Sequence, residues 1–214
     1  MTGGPTRAVV FDMDGVLVDS GAHHRDAWRA MLSEAGLAAP AEFWRVTIGR
    51  PADEAVALLA SVDAAEARRL AERKRAHYTR LARRGTVPVA GVPRFVDALA
   101  RAEVPRAVAT SASRRDLDRV LVALGLREHF DVVVTADDVR RGKPHPEVYL
   151  RAAAGLGVDP SACVVFEDAV VGVQAARAAG MRVIGVTSAH TAEELVQAGA
   201  ERAVPDFETV QWPV

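Results

Sequence analysis

At 214 residues, half of them hydrophobic and 26% charged, the chain can bury a full core, as one domain with an insertion or as two small ones. A formal net charge of -1, with no basic stretch interleaved with aromatics, argues against nucleic acid and against an anionic membrane as partners.

The opening Met1-Thr2-Gly3-Gly4-Pro5 lacks the apolar core of a signal peptide, and no later apolar run approaches the roughly 20 residues of a membrane span, so a cytoplasmic location is expected. The run Ala8-Val9-Val10-Phe11 then stops at Asp12-Met13-Asp14-Gly15-Val16, two carboxylates one residue apart followed by glycine. Four consecutive apolar residues are too few for a helix and enough for a parallel strand buried on both faces, with Gly15 freeing the turn. Asp12 and Asp14 would stand at a strand's C-terminal edge, where open α/β sheets bind ligands, although such a pair also occurs in ordinary turns.

Ala27, Trp28, Met31, Leu32 and Ala35 recur at helical spacing and predict a helix over 22–36. A short apolar helix is expected over 53–60, and Asp63 with Glu66 offers an N-terminal cap for an Arg-rich helix running to about Arg84. The Pro-containing stretch 85–91 ends the helices as a hinge or linker. No convincing strand lies between 20 and 84. Residues 17–89 therefore read as an all-helical insertion, with 1–16 and 90–214 forming the core.

From Pro93 helix and strand alternate: helix 93–102, strand 106–110, helix 114–124 closed by Gly125, strand 131–134, helix 146–155, strand 163–166, helix 169–179 closed by Gly180, and strand 182–186. A last helix starts at Thr191, capped against Glu194, and Ser113 with Asp116 forms a similar capping pair. Repeated β-α-β predicts an α/β fold, a Rossmann-like parallel sheet with helices on both faces and right-handed connections. Cys163, the single cysteine, sits inside an apolar strand as a small core residue and excludes an internal disulfide or a cysteine metal cluster.

Only two of the 27 basic residues are lysines, Lys74 and Lys143, so each lysine marks a place where a compact point charge is wanted over a guanidinium. Each core strand is followed by a suggestive loop: Asp12 and Asp14, then Thr110-Ser111, then Lys143, then Glu167-Asp168. Singly, each has an ordinary explanation as a helix cap, a solvated loop or a favourable helix-dipole charge. On one edge of a parallel sheet they combine two carboxylates, a hydroxyl donor, a cation and an acidic metal site, the set that phosphoryl transfer through an aspartyl-phosphate requires.

With Asp12-Met13-Asp14-Gly15-Val16, Thr110-Ser111, Lys143-Pro144 and Glu167-Asp168 in that order, the chain resembles the haloacid dehalogenase superfamily. The helical insertion resembles the small cap of its β-phosphoglucomutase and phosphoglycolate-phosphatase-like branch. The resemblance implies that Asp12 is the nucleophile and that Asp14, the second Asp carried by the family's phosphotransferases, is the general acid and base. It further implies that Asp12, Asp14 through its backbone carbonyl, Glu167 and Asp168 hold Mg²⁺, and that Ser111, the Ala112 N–H and Lys143 bind the phosphoryl oxygens. Within the insertion, His24 and Lys74 match in position a histidine and a lysine of the branch. Ala52 stands where its mutases carry a phosphate-gripping Arg, with Arg50 nearby.

The activity implied by this resemblance is that of a Mg²⁺-dependent phosphatase acting on a small phosphorylated metabolite such as a sugar phosphate. The alternatives are a β-phosphoglucomutase-like mutase and, from another class, a receiver-type phosphoacceptor module. Substrate identity and oligomeric state are left open.

Overall fold

The computed structural model describes residues 6–39, 43, 47–83 and 85–214. At its centre, β1 (Ala8–Phe11) lies in a six-stranded parallel sheet with β2 (Arg106–Ala109), β3 (Val132–Val134), β4 (Cys163–Glu167), β5 (Arg182–Val186) and β6 (Arg202–Val204). The strand order is β3-β2-β1-β4-β5-β6. Every residue of β1 and β4 is buried, which is why both strands read as unbroken apolar runs rather than as alternating ones. Phe11 pairs in register with Val108 on one side and Phe166 on the other.

Successive side chains of the strands go to opposite faces. Val9, Phe11 and Phe166 pack with Phe95 and Phe207 on one face, whereas Val10 and Val165 pack with Tyr149 and Val173 on the other. Phe11 stacks on Phe166 with ring centroids 5.5 Å apart and meets Phe95 edge-on at 6.1 Å, so the central strand pair is locked directly beneath its polar C-terminal loops. From β1 the chain winds to β2 and β3 on one side, then crosses back to β4 on the other side of β1. That reversal opens a crevice at the strands' C-terminal edge.

The covering helices are α4 (Val92–Arg101), α5 (Arg114–Ala123), α6 (Glu147–Leu156), α7 (Val170–Ala178) and α8 (Ala192–Gln197), preceded in the chain by α1 (Gly21–Glu34), α2 (Ala52–Leu59) and α3 (Ala64–Ala82). The expected caps form: Ser113 accepts from the Asp116 N–H, and Thr191 with Glu194 closes a reciprocal capping box. Asp63 accepts from the N–H groups of Ala65 and Glu66, while the Glu66 carboxylate turns to Arg69. The expected end of this helix, Arg84, lies outside the described residues, as do Met1 to Pro5. The short strand β6 is absent from the sequence-based expectation, because three residues opening on an exposed Arg202 carry no apolar run.

Helices α1 to α3 pack on one another through Trp28, Met31, Leu32, Val56 and Leu70, a cluster separate from those flanking the sheet. The chain enters and leaves this helical segment side by side: the Asp19 N–H donates to the Val87 carbonyl at 2.9 Å and the Val89 N–H to that of Leu17 at 3.2 Å. Among the described residues no helix is long and apolar enough to cross a membrane.

Candidate active site

The strand-end carboxylates face the crevice from a loop that is held tightly. Gly15 adopts φ +75°, and a Cβ there would stand 1.9 Å from Asp168 Oδ2, so only glycine lets the loop after β1 approach the loop after β4. Asp12 extends β1 by donating its N–H to the Phe166 carbonyl at 3.0 Å. Its Oδ1 accepts from Lys143 Nζ at 2.7 Å, and the same ammonium donates to Glu167 Oε1 at 2.5 Å. Glu167 Oε1 also accepts from the Tyr149 hydroxyl at 2.9 Å, and its Oε2 from the Ala169 N–H at 2.8 Å.

This cluster is almost dry: Lys143 is 1% exposed and Glu167 0%. Burial pushes Asp12 up to about 7, against the opposing ammonium of Lys143 and with Glu167 adding to the rise. Burial would lower Lys143, but Asp12 and Glu167 hold its charge well above the usual lysine range. Asp168 is held well above the usual carboxylate range by burial and then by Glu167 and Asp12 beside it. Ligand oxygens of Asp12, Glu167 and Asp168 lie within 4.8 Å of one another. Three buried carboxylates against one ammonium form a hard-oxygen donor set with an excess of negative charge, which fits a divalent cation.

Asp14 points the other way, towards the helical segment. Its Oδ1 accepts from the Ser20 hydroxyl at 2.6 Å and from the Tyr78 hydroxyl at 3.3 Å, and His24 Nε2 stands 3.0 Å away at ion-pair distance without hydrogen-bond alignment. Behind the imidazole, Lys74 Nζ lies 2.7 Å from His24 Nδ1, and the imidazole stacks on Tyr78 with centroids 4.2 Å apart. An ammonium has only donors, so it assigns Nδ1 as acceptor and leaves the proton on Nε2, facing Asp14. Burial would raise the Asp14 carboxyl, yet His24, the Ser20 hydrogen bond and Lys74 together hold it below the usual carboxylate range. Burial and Lys74 depress His24, against the pull of Asp14.

The remaining candidates are gathered around one cavity, lined among others by Asp12, Asp14, His24, Arg50, Lys74 and Ser111. Ser111 does not present a free hydroxyl there: it donates to the Gly49 carbonyl at 3.1 Å, joining the loop after β2 to the helical segment. The Ala112 N–H, expected to face a phosphoryl group, donates to Thr110 Oγ1 at 3.1 Å. Lys143 lies beneath Asp12 rather than in the cavity wall. Glu167 is within reach of the metal cluster, but its hydrogen bonds to Lys143, Tyr149 and Ala169 make it first of all the group that fixes Lys143.

Several side chains at the site carry no motif that would reveal them in the sequence. Ser20, Tyr78 and Tyr149 are of this kind, and so is Ser188 in the loop after β5, 2.6 Å from the Gly15 carbonyl and 3.0 Å from Asp168 Oδ2. Tyr78 has a signal all the same, since four residues after Lys74 on a helix places both on one face. Asp116, which the sequence marks only as a helix-capping residue, also lines the cavity.

Comparison with known proteins gives a consistent picture. The haloacid dehalogenase-like hydrolase family matches residues 6–180. The validoxylamine A 7'-phosphate phosphatase of Streptomyces hygroscopicus subsp. limoneus is 36% identical over 208 residues, covering 97% of each chain. The fructose-1-phosphate phosphatase YqaB of Escherichia coli (strain K12) is 35% identical over 182 residues, covering 83% of this chain and 95% of its own. Among solved structures, the β-phosphoglucomutase of Clostridium difficile superposes with a TM-score of 0.85 at 27% identity, covering 97% of this chain and 94% of its own. With its four strand-end loops gathered on one sheet edge and this match across most of its length, the chain belongs to the haloacid dehalogenase-like hydrolases.

Proposed function

We propose that this hydrolase is a phosphatase that releases orthophosphate from a small sugar phosphate or related phosphomonoester through an aspartyl-phosphate on Asp12. The observation that carries the reading is the pair of oppositely facing carboxylates. Asp12 is fixed from behind by Lys143 at 2.7 Å, and Asp14, two residues on, reaches into the same cavity among Ser20, His24 and Tyr78. Relatives named as phosphatases of phosphorylated sugars and sugar-like compounds support the same class of substrate.

In this reading an Asp12 carboxylate oxygen attacks phosphorus, the bond from phosphorus to the ester oxygen breaks, and the departing alkoxide takes the Asp14 proton. Water then attacks the acyl-phosphate, Asp14 accepts its proton, the bond between phosphorus and the Asp12 oxygen breaks, and orthophosphate leaves. In the free protein Asp14 is held as a carboxylate. A phosphate dianion entering beside it opposes the field of His24 and Lys74 and raises its proton affinity, so substrate binding itself prepares the acid. Lys143 favours the ionised form of Asp12 against its burial and offsets its charge as the anionic substrate approaches.

Asp12 and Asp168, with the Asp14 backbone carbonyl, are the residues we assign to hold Mg²⁺, with Glu167 orienting Lys143 at its side. The ion would supply positive charge against the equatorial phosphoryl oxygens. Residues 17–89 are proposed to act as a cap that closes on the sheet edge and excludes water, with Ser111 and the Gly49 carbonyl as one of its contacts. Closed over Asp12 in this way, the site is built for turnover of a small substrate and unlike an open phosphoacceptor surface.

The test is phosphate release from a panel of phosphorylated sugars and p-nitrophenyl phosphate in the presence of Mg²⁺. Release from one or more of them, lost in Asp12→Asn, supports the proposal. Equal release by a folded Asp12→Asn protein sinks it.

A further inference from the structure

On the core side of the cavity stands a carboxylate that the chemistry above leaves unused. Asp116, in the first turn of α5, is 7% exposed and lines the cavity. Its Oδ2 accepts from the Ser113 hydroxyl at 2.8 Å, and its Oδ1 from Arg119 Nη2 at 3.0 Å. The helical segment reaches it as well: Arg75, on α3, holds its Nε 3.9 Å from Asp116 Oδ2, and the Arg119 guanidinium lies 5.9 Å from the Tyr78 ring. Arg75 is about half exposed and also lines the cavity, and its terminal nitrogens make no hydrogen bond among the described residues.

We propose that Asp116 and Arg75 form the specificity element of this phosphatase, reading a hydroxyl of the substrate's carbon skeleton and excluding substrates with a second phosphate. The inference rests on the hydrolase reading above and adds to it the class of leaving group. A hydroxyl is both donor and acceptor, so it can donate to a free lone pair of Asp116 while accepting from Arg75. A second phosphate has only acceptors at neutral pH. It would bond Arg75 but would set its negative charge against the buried Asp116 carboxylate.

The other cations make Asp116 decisive. Arg50 and Lys74 line the same cavity, and neither is within ion-pair distance of a carboxylate among the described residues. Positive charge alone would welcome a bisphosphate. Between Arg119 and Arg75, the Asp116 carboxylate offsets part of the positive charge that a second phosphate would meet there, so selectivity comes from a repulsive element as well as from an attractive one.

The experiment compares kcat/KM for fructose 1-phosphate and fructose 1,6-bisphosphate, by phosphate release in Mg²⁺, for the full chain, Asp116→Asn and Arg75→Gln. The unaltered protein should favour the monophosphate. Asp116→Asn should move the ratio towards the bisphosphate by roughly tenfold or more, because it removes the opposing charge and keeps the shape. Arg75→Gln, on a half-exposed helix position, should raise KM for the monophosphate and move the ratio the other way. It tests the proposal by itself if Asp116→Asn fails to fold. A ratio within about twofold of the original in folded Asp116→Asn, or a shift towards the bisphosphate in Arg75→Gln, would overturn the inference and leave the hydrolase reading intact. No release from either sugar by the unaltered protein would overturn this inference, whereas the hydrolase reading falls only if no member of the wider panel is hydrolysed.

Discussion

The ammonium of Lys74 stands 2.7 Å from Nδ1 of His24, and through that single contact α3 decides which face of the imidazole carries the proton opposite Asp14. Such a cation is costly to keep. Lys74 is 8% exposed, and burial pushes it down to about 8 although Asp14 and Asp116 raise it.

That cost depends on pH. A lysine whose pKa is lower in the folded protein than in the unfolded chain opposes folding fully below the folded value, and the opposition fades as pH rises towards the unfolded value near 10.4. Lys74→Met keeps the stem that packs beside Trp28 and Tyr78 and removes the charge. The variant should gain on the order of 2 kcal/mol at pH 7, after a discount for the lost contact to His24, and the gain should vanish by about pH 10.5. Its kcat/KM should fall at the same time. Thermal melts across that pH range check the first point, and a variant less stable than the original at pH 7 would show that the contact outweighs the desolvation.

Asp12→Asn should lower turnover by about four orders of magnitude or more, because a neutral amide is a poor nucleophile towards phosphorus. Asp14→Asn should slow both formation and hydrolysis of the phospho-enzyme. His24→Ala should cost far less, roughly tenfold, since it acts on the protonation of Asp14. Rapid-quench trapping of the phospho-enzyme separates the two steps. Equal losses in Asp14→Asn and His24→Ala would move the histidine into the proton transfer.

Chelation should abolish activity and Mg²⁺ restore it, while Ca²⁺, with its larger and looser shell, should inhibit. The buried carboxylates also predict a readout independent of turnover: Mg²⁺ should raise the melting temperature, because it binds the folded protein alone and relieves the repulsion around Asp168. Asp168→Asn should be more stable without metal and lose most of that Mg²⁺-dependent rise. An identical Mg²⁺ response in both proteins would move the ion elsewhere.

Hydrolase and mutase part on the fate of β-glucose 1-phosphate given a trace of the 1,6-bisphosphate. Ala52 opens α2 where mutases of the branch carry an Arg, and Asp116 stands in the way of a second phosphate, so free phosphate should exceed glucose 6-phosphate. A coupled assay reads both products at once. Stoichiometric isomerisation with negligible phosphate would make Arg50, which does line the cavity, the replacement for the missing contact.

By itself, the amino-acid order places β1, β2, β4 and β5 to within a residue and puts Asp12, Lys143, Glu167 and Asp168 at the same sheet edge. It can do so because strands buried on both faces must be continuously apolar, and because a parallel sheet carries every strand's C-terminal loop to one side. Caps at Ser113, Asp63 and Thr191 are legible for a similar reason: they are satisfied within three residues of themselves.

Other features are decided only in three dimensions. The Ser111 hydroxyl is taken by the Gly49 carbonyl, Asp14 turns to Tyr78, Lys143 is shared with a Glu167 that Tyr149 holds, and Arg75 faces Asp116 across the cavity. Each of these pairs joins residues far apart in the chain, and several cross from the helical segment to the sheet. Local periodicity reports which face of an element is buried, but not which polar side chain from another element will meet it there. That choice is made by how α1 and α3 settle over the end of β1, where a buried donor or acceptor must find its partner or bear the full cost of desolvation.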